Sequence, residues 1–175
     1  PLGTKGGTVH LEHQGIMKIT LFFCAGNLSE TLGVHRVDEL DGTGRRMPWT
    51  MGAFTLAALG MIGLPPLAGF VTKWYLGVGA AHAGMVWAIA VLMASSVLNA
   101  AYFLPLVYAA WFKTRRGPWQ EQTGARAKAR FETDWRLLFP PLVTAAFALG
   151  AGALAAAPFS PLSWATLFAA REYLR

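Results

Sequence analysis

Amines and imidazoles held inside an apolar helix can take up and release protons, and this chain has both. His10, His13, Gln14 and Lys18 lead into the apolar run ITLFFCAG, and Lys73 sits within LAGFVTKWYL. A low-dielectric layer disfavours the charged form of lysine, so Lys18 and Lys73 are candidates to switch protonation state. Histidine already titrates near neutrality. On a helix, His10, Gln14 and Lys18 fall at i, i+4 and i+8 along one face, with His13 beside His10 and Glu12 pointing elsewhere. Lys18 then lies about 12 Å along the helix axis from His10. The plainer reading has Lys18 snorkelling outward beside histidines at headgroup level. Zinc is the weaker reading of His10 and His13: there is no HExxH pattern and no third ligand, so no metal is expected.

The elements that must position these groups are membrane helices. Hydrophobic residues make up 54% of the chain and charged ones only 14%, with the charges gathered between long apolar runs. A soluble domain carries roughly 25% charged residues. The chain therefore reads as all-α, a polytopic membrane bundle of about four spans. The first helix is expected from Val9 to Gly33, after a Gly-rich loop at residues 1–8. The third runs from Met85 to Phe112, kinked at Pro105, and carries Asn99, which serves as interhelical glue more readily than as an ion ligand. The fourth runs from Leu137 to Ala157, and an amphipathic tail from Pro158 to Arg175 follows.

The second element, Met47 to Tyr75 at its heart, is the unusual one. Gly63, Pro65 and Pro66 interrupt it, Gly69 follows, and Lys73 lies beyond the break. In a bilayer, broken backbone is tolerated only where protein or a water-filled cavity receives the freed polar groups. From Trp49 to Ala80 it holds 32 residues. Straight, it would measure about 48 Å against a hydrocarbon core of ~30 Å, too long for one upright span and short for two. An interrupted, tilted span fits; a helical hairpin turning at the prolines is the competitor.

Charge decides between them. The polar loop 34–48 and the basic loop 113–136 hold ten of the fifteen Lys and Arg residues. A single interrupted span places both loops on one face, and the positive-inside bias makes that face cytoplasmic. A hairpin would separate them. The net charge of +6 is accounted for by these helix flanks; no nucleic-acid motif is present, and nucleic acid is not an expected partner. One cysteine, Cys24, cannot supply an iron–sulfur cluster. Nothing marks a site for NAD, flavin or haem, so no cofactor and no redox catalysis are expected of this chain. It begins at Pro1 and reads as a single membrane domain, 1–175, cut from a longer polypeptide.

HQGIMKITLFFCAGNL followed by DELDGTGRRMPWTMGAFTLAALGMIGLPPLAGFVTKWYL resembles the proton-conducting membrane subunits shared by Mrp-type monovalent cation/proton antiporters and respiratory complex I. The D subunit of the antiporter is the closest in look. The likeness covers residues 8–80. It implies an ion-transport subunit in a multi-pass prokaryotic cell-membrane assembly, with other membrane subunits, protons, Na+ and the bilayer as partners. This chain is similar to the second of the family's two inverted repeats, its C-terminal half. The resemblance places Lys18 and Lys73 on the family's hydrophilic axis and matches His10 to a connecting histidine. The family's frequent histidine four residues before the first lysine is Gln14 here, with His13 one step earlier. The implied activity is proton translocation in a Na+/proton antiporter, or in an NADH-quinone oxidoreductase or related hydrogenase complex. The expected relay has His10 and His13 exchanging protons with Lys18, and Lys18 with Lys73 through water at Gly63–Pro66. A structural membrane subunit with no conducting path is the rival from another class.

Overall fold

In a bilayer every backbone N–H and C=O must find a partner within the protein, which makes helices the default. The computed structural model describes residues 2–115, 117, 119 and 132–154, and all of its elements there are helical. They are α1 (Leu2–Leu32), a 3-10 turn (Val37–Glu39), α2 (Thr43–Arg46), α3 (Pro48–Ile62), α4 (Ala68–His82), α5 (Val86–Phe112) and α6 (Trp135–Ala153). The bundle has the expected four-span plan, with α3 and α4 as the two arms of the broken element. The tail at 158–175, and most of the basic loop, lie outside the described residues.

Contacts along α1 show how the arms are arranged. Cys24 Sγ donates to Thr50 O on α3 at 3.3 Å. Seven residues earlier, Met17 packs where Gly60 and Gly69 meet. His13 Nδ1 lies 3.3 Å from Ala68 O, and His10 Nδ1 lies 3.0 Å from Thr72 Oγ1. Descending α1 from residue 24 to 10, about 21 Å at 1.5 Å per residue, the partners climb steadily from α3 through the break into α4. A hairpin would make them turn back. The element is one interrupted span.

The same end of the bundle gathers both polar loops. Gly42 N donates to Ala109 O at 3.1 Å, Trp111 Nε1 to Thr55 Oγ1 at 2.9 Å, and Arg115 to Glu39 O at 3.1 Å. On the other side of α1, Thr31 pairs with Thr133 at 2.7 Å, Asn27 donates to Leu137 O at 2.9 Å, and Thr20 to Thr144 Oγ1 at 2.8 Å. Thus α6 begins at the loop end and runs antiparallel to α1 until Gly152 meets the backbone of Pro66–Ala68. At the loop itself, Arg36 bonds Asp38 at 3.0 Å and holds that carboxyl below its usual range. Asp41 faces Lys113 at 3.7 Å, so charge balance crosses between the two loops and is not confined to residues 34–48.

The structure departs from the sequence expectation at several points, among them the end of the fourth helix, at Ala153 where Ala157 was expected. Residues 2–8, expected as a loop, are the first turns of α1; glycine costs a helix about 1 kcal/mol, and in lipid the uncovered backbone of a loop costs more. The polar segment 34–48 is not merely solvated, since Thr43 and Gly44 are buried under Trp111 and Ala110. The fourth helix starts two residues early, at Trp135, because the Asp134 carboxylate caps it by accepting from Arg136 N at 3.0 Å.

Glu132 falls within the segment 113–136 expected from the sequence to be a basic loop. Its carboxylate is buried and accepts from Trp49 N at 2.8 Å, Thr50 N at 2.6 Å and Thr50 Oγ1 at 2.5 Å. It therefore caps the N-terminus of α3, where negative charge is favoured. Truncation would strand buried donors. Glu132→Ala is expected to cost about 1–3 kcal/mol and to lower the melting temperature of the full-length assembled protein, with Glu132→Gln losing less; an unchanged melting curve would show that the cap is dispensable.

Close approach at the break demands glycine. A Cβ at Gly69 would overlap the Gly60 carbonyl, whereas one at Gly77, two turns along the same helix, meets nothing within 4 Å. Gly69→Ala is expected to abolish stable assembly and Gly77→Ala to be tolerated, as judged by recovery of intact complex on size exclusion. Equal recovery of both variants would contradict the packing described here.

Candidate functional site

The break is built by local chemistry. Gly63 takes φ +94° and ends α3, its N–H returning to Leu59 O at 3.0 Å, and Leu64 N joins the same carbonyl at 3.2 Å. Pro65 and Pro66 supply no donors, and Leu67 N closes the turn onto Leu64 O at 3.0 Å. A helix end leaves its last carbonyls without intrahelical partners. Here Lys73 reaches back one turn along α4 and satisfies two of them: Nζ donates to Met61 O at 3.1 Å and to Ile62 O at 2.9 Å. A third bond runs to Ser96 Oγ on α5 at 2.8 Å. Gly63 is needed twice, for its left-handed backbone and because a Cβ there would lie 3.0 Å from the Lys73 side chain.

The histidines approach from α1. Thr72 Oγ1 donates to Gly69 O at 3.1 Å, which commits its only proton. His10 Nδ1, 3.0 Å away, must therefore be the donor to Thr72. His13 Nδ1 faces a carbonyl, Ala68 O, which can only accept. In the neutral state both rings thus carry hydrogen on Nδ1 and leave Nε2 as the basic nitrogen. His13 is only 2% exposed, and its Nε2 has no hydrogen-bond partner among the described residues. Such a buried acceptor calls for water or an incoming proton.

The structure brings together Lys73, His10, His13, Gly63, Pro65, Pro66 and Gly69. Lys18 stands apart. It follows Met17, at the level of the break, but its side chain is exposed on the outer face of α1. The buried stripe of α1 is Val9, His13, Met17, Thr20 and Cys24, rotated from the His10–Gln14–Lys18 line; Gln14 is half-buried at the margin. Lys18 and Lys73 therefore do not face one another across a shared gap. Asn99 is half-buried, one turn beyond Ser96 on α5. Thr72 and Ser96 are the hydrogen-bonded partners of His10 and Lys73 that the sequence did not single out. Thr72 was signalled only by adjacency to Lys73, and Ser96 by being a hydroxyl in an apolar helix.

With this geometry in hand, the likeness to known proteins is specific. The family model described as NADH:quinone oxidoreductase/Mrp antiporter, TM matches residues 2–99. The chain is 41% identical over 151 residues to NADH-quinone oxidoreductase subunit N of Desulforudis audaxviator, covering 81% of this chain and 29% of that protein. Its fold matches a chain of the Mrp complex of a Dietzia species with TM-score 0.79 at 23% identity, over 94% of this chain and 37% of that one. It also matches a chain of the membrane-bound sulfane sulfur reductase, an archaeal respiratory membrane complex, with TM-score 0.73 at 28% identity, over 95% of this chain and 31% of that one. The chain thus spans between 29% and 37% of the length of these relatives. A broken span clamped by its own lysine, carried through a match over more than half the chain, makes this an integral membrane member of the NADH:quinone oxidoreductase/Mrp antiporter transmembrane family.

Proposed function

We propose that this chain is the C-terminal segment, a single membrane domain, of a subunit that moves protons across a prokaryotic cell membrane within a multi-subunit monovalent cation (Na+)/proton antiporter. The observation that carries the reading is Lys73, an ionisable group held at the interruption of a span, with two histidines on the adjacent helix. Likeness in fold to the Mrp complex chain supports the antiporter setting. The 41% identity to a subunit N favours a second setting, the membrane part of a quinone-reducing complex, where the redox chemistry belongs to other chains. Loops 34–48 and 113–136 face the cytoplasm in either setting.

The relay is local. A charged Lys73 is stabilised by the α3 carbonyls and Ser96. When it gives up a proton, Ser96 is its hydrogen-bonded side chain, the Thr72–His10 pair lies at the neighbouring position of α4, and His13 offers a bare Nε2 for a proton arriving by water. Both imidazoles can receive at Nε2 while Nδ1 keeps its anchoring bond. Lys18 acts from the outer face of α1, exchanging protons with these histidines through water and linking them to parts of the full subunit beyond these helices. Gln14 and Asn99 line the margins as hydrogen-bonding groups.

In the full-length protein within its assembled complex, Lys73→Ala should reduce proton flux into proteoliposomes on the order of a hundredfold, the scale of losing one proton-transfer group. His10→Ala should reduce it less, since water can replace one imidazole. A non-conducting structural subunit would instead tolerate Lys73→Ala and Lys18→Ala alike, and intact flux in both variants would overturn the proposal.

A further inference from the structure

We infer that the cleft between α3 and α6 is a docking site for an anionic phospholipid, its acyl chains lying along α3 and its headgroup at the loop end of the bundle. The inference goes beyond proton transfer and takes from that reading only the orientation, with loops 34–48 and 113–136 toward the cytoplasm. The two helices start together, since Glu132 caps α3 and Asp134 caps α6. They run side by side until Gly152 meets the break. Between them lies a cleft of about 600 Å³. Gly52 and Ala53 of α3 and Ala145 of α6 form its floor, with Leu56, Leu142 and Leu149 along its rims. Trp49 and Trp111 stand at its loop end.

The walls suit hydrocarbon. Thr55 carries the one hydroxyl among the residues that line the cleft, and it is already spent: it donates to Met51 O at 2.7 Å and accepts from Trp111 Nε1 at 2.9 Å. A Cβ on Gly52 would meet nothing within 4 Å, so the floor is open there. From Pro48 to Leu56 the cleft runs about 12 Å along α3. One leaflet's share of a ~30 Å hydrocarbon core is similar. Spread over that length, the volume gives a cross-section of about 50 Å². A helix ~10 Å across needs about 80 Å². A further span would bridge the cleft without filling it, whereas the paired chains of one phospholipid can lie inside.

The mouth supplies the charge. Gly44 packs on the Trp111 ring, where a Cβ would come within 2.7 Å, so the exposed Arg45 that follows it lies beside the mouth. Arg136 is exposed on the first turn of α6. Neither guanidinium has an ion pair among the described residues. The nearby carboxylates are committed, Glu132 and Asp134 to helix caps and Asp41 to Lys113. Guanidinium groups pair well with phosphate oxygens, and indoles favour the headgroup level. The cytoplasmic leaflet is also the one with negative surface charge. An anionic headgroup is therefore preferred to a zwitterionic one, whose own ammonium would face the same arginines.

The test uses the purified full complex in vesicles of equal phosphatidylcholine and phosphatidylglycerol, with a trace of phosphatidylglycerol bearing a photoreactive diazirine on one acyl chain. Illumination should leave adducts on α3 between Gly52 and Leu56 and on α6 between Leu142 and Leu149. Unlabelled phosphatidylglycerol should compete better than phosphatidylcholine. Arg45→Gln should cut that preference about fivefold, the effect of one cation near a charged membrane surface. Gly52→Leu fills the floor and should abolish the cleft adducts while labelling elsewhere on the complex persists. Recovery of intact complex on size exclusion checks assembly; if Gly52→Leu fails to assemble, the competition series with Arg45→Gln decides alone. Cleft adducts that persist in Gly52→Leu, or equal competition by the two lipids, would overturn the site. So would labelling elsewhere with none in the cleft, the result expected if a protein segment covers it. Arg45→Cys with Cys24→Ala, treated from each side with an impermeant thiol reagent, tests the orientation separately. Labelling from outside would reject the orientation, and labelling from inside without cleft adducts would reject the lipid site alone.

Discussion

A helix interrupted inside a bilayer must satisfy its open end, and here one side chain does it. Lys73 returns across the break to bond the carbonyls of Met61 and Ile62. The rest of the design follows from that clamp. Positive charge at the C-terminus of α3 is matched by the Glu132 carboxylate at its N-terminus, so a 15-residue helix is bracketed by charges that both oppose its dipole. Both brackets come from later in the chain, one from α4 and one from the segment leading into α6. Movement of either arm is therefore felt at the ends of α3, and protonation of Lys73 alters the same bonds that hold the arms together.

The long α1 is the rail on which the two arms are mounted. Its buried stripe runs from Cys24, against α3, through Met17 at the break to His13 against α4, with the half-buried His10 beside it on Thr72. The histidines sit where the rail touches the arm bearing Lys73. Each sets one nitrogen against α4, and the other nitrogen of His13 is buried with no partner among the described residues.

Much of this was legible in the sequence. Gly63, Pro65 and Pro66 announced the break, Lys73 announced an internal charge, and the shared positive bias of two loops pointed to an interrupted span. The span of α5 was set by its apolar run and ends within one residue of expectation. What was not legible depends on neighbours distant in sequence. Nothing local shows that Glu132 caps a helix beginning more than eighty positions earlier. Nor does α1 announce its inward face. The His10–Gln14–Lys18 line looks like the working face by spacing alone, yet packing buries the adjacent stripe and leaves Lys18 exposed. In lipid both faces of a helix are apolar enough that periodicity distinguishes them poorly. Glycines at the start of α1 read as loop because propensities come from water, where exposed backbone is solvated.

The central claim is that Lys73 lies at an interior break and not at a lipid headgroup. Its most direct test is the reach of water-soluble reagents to that position. In the full-length assembled protein with Cys24→Ala, Lys73→Cys would be treated from each side of the membrane with a bulky and with a small membrane-impermeant thiol reagent. Protection from the bulky reagent on both sides, with slow labelling by the small one, is the result expected of a group on a narrow internal path. Rapid labelling by the bulky reagent from the nearer surface would mean that Lys73 snorkels to that surface, and the account of the clamp and of the proton path would be wrong.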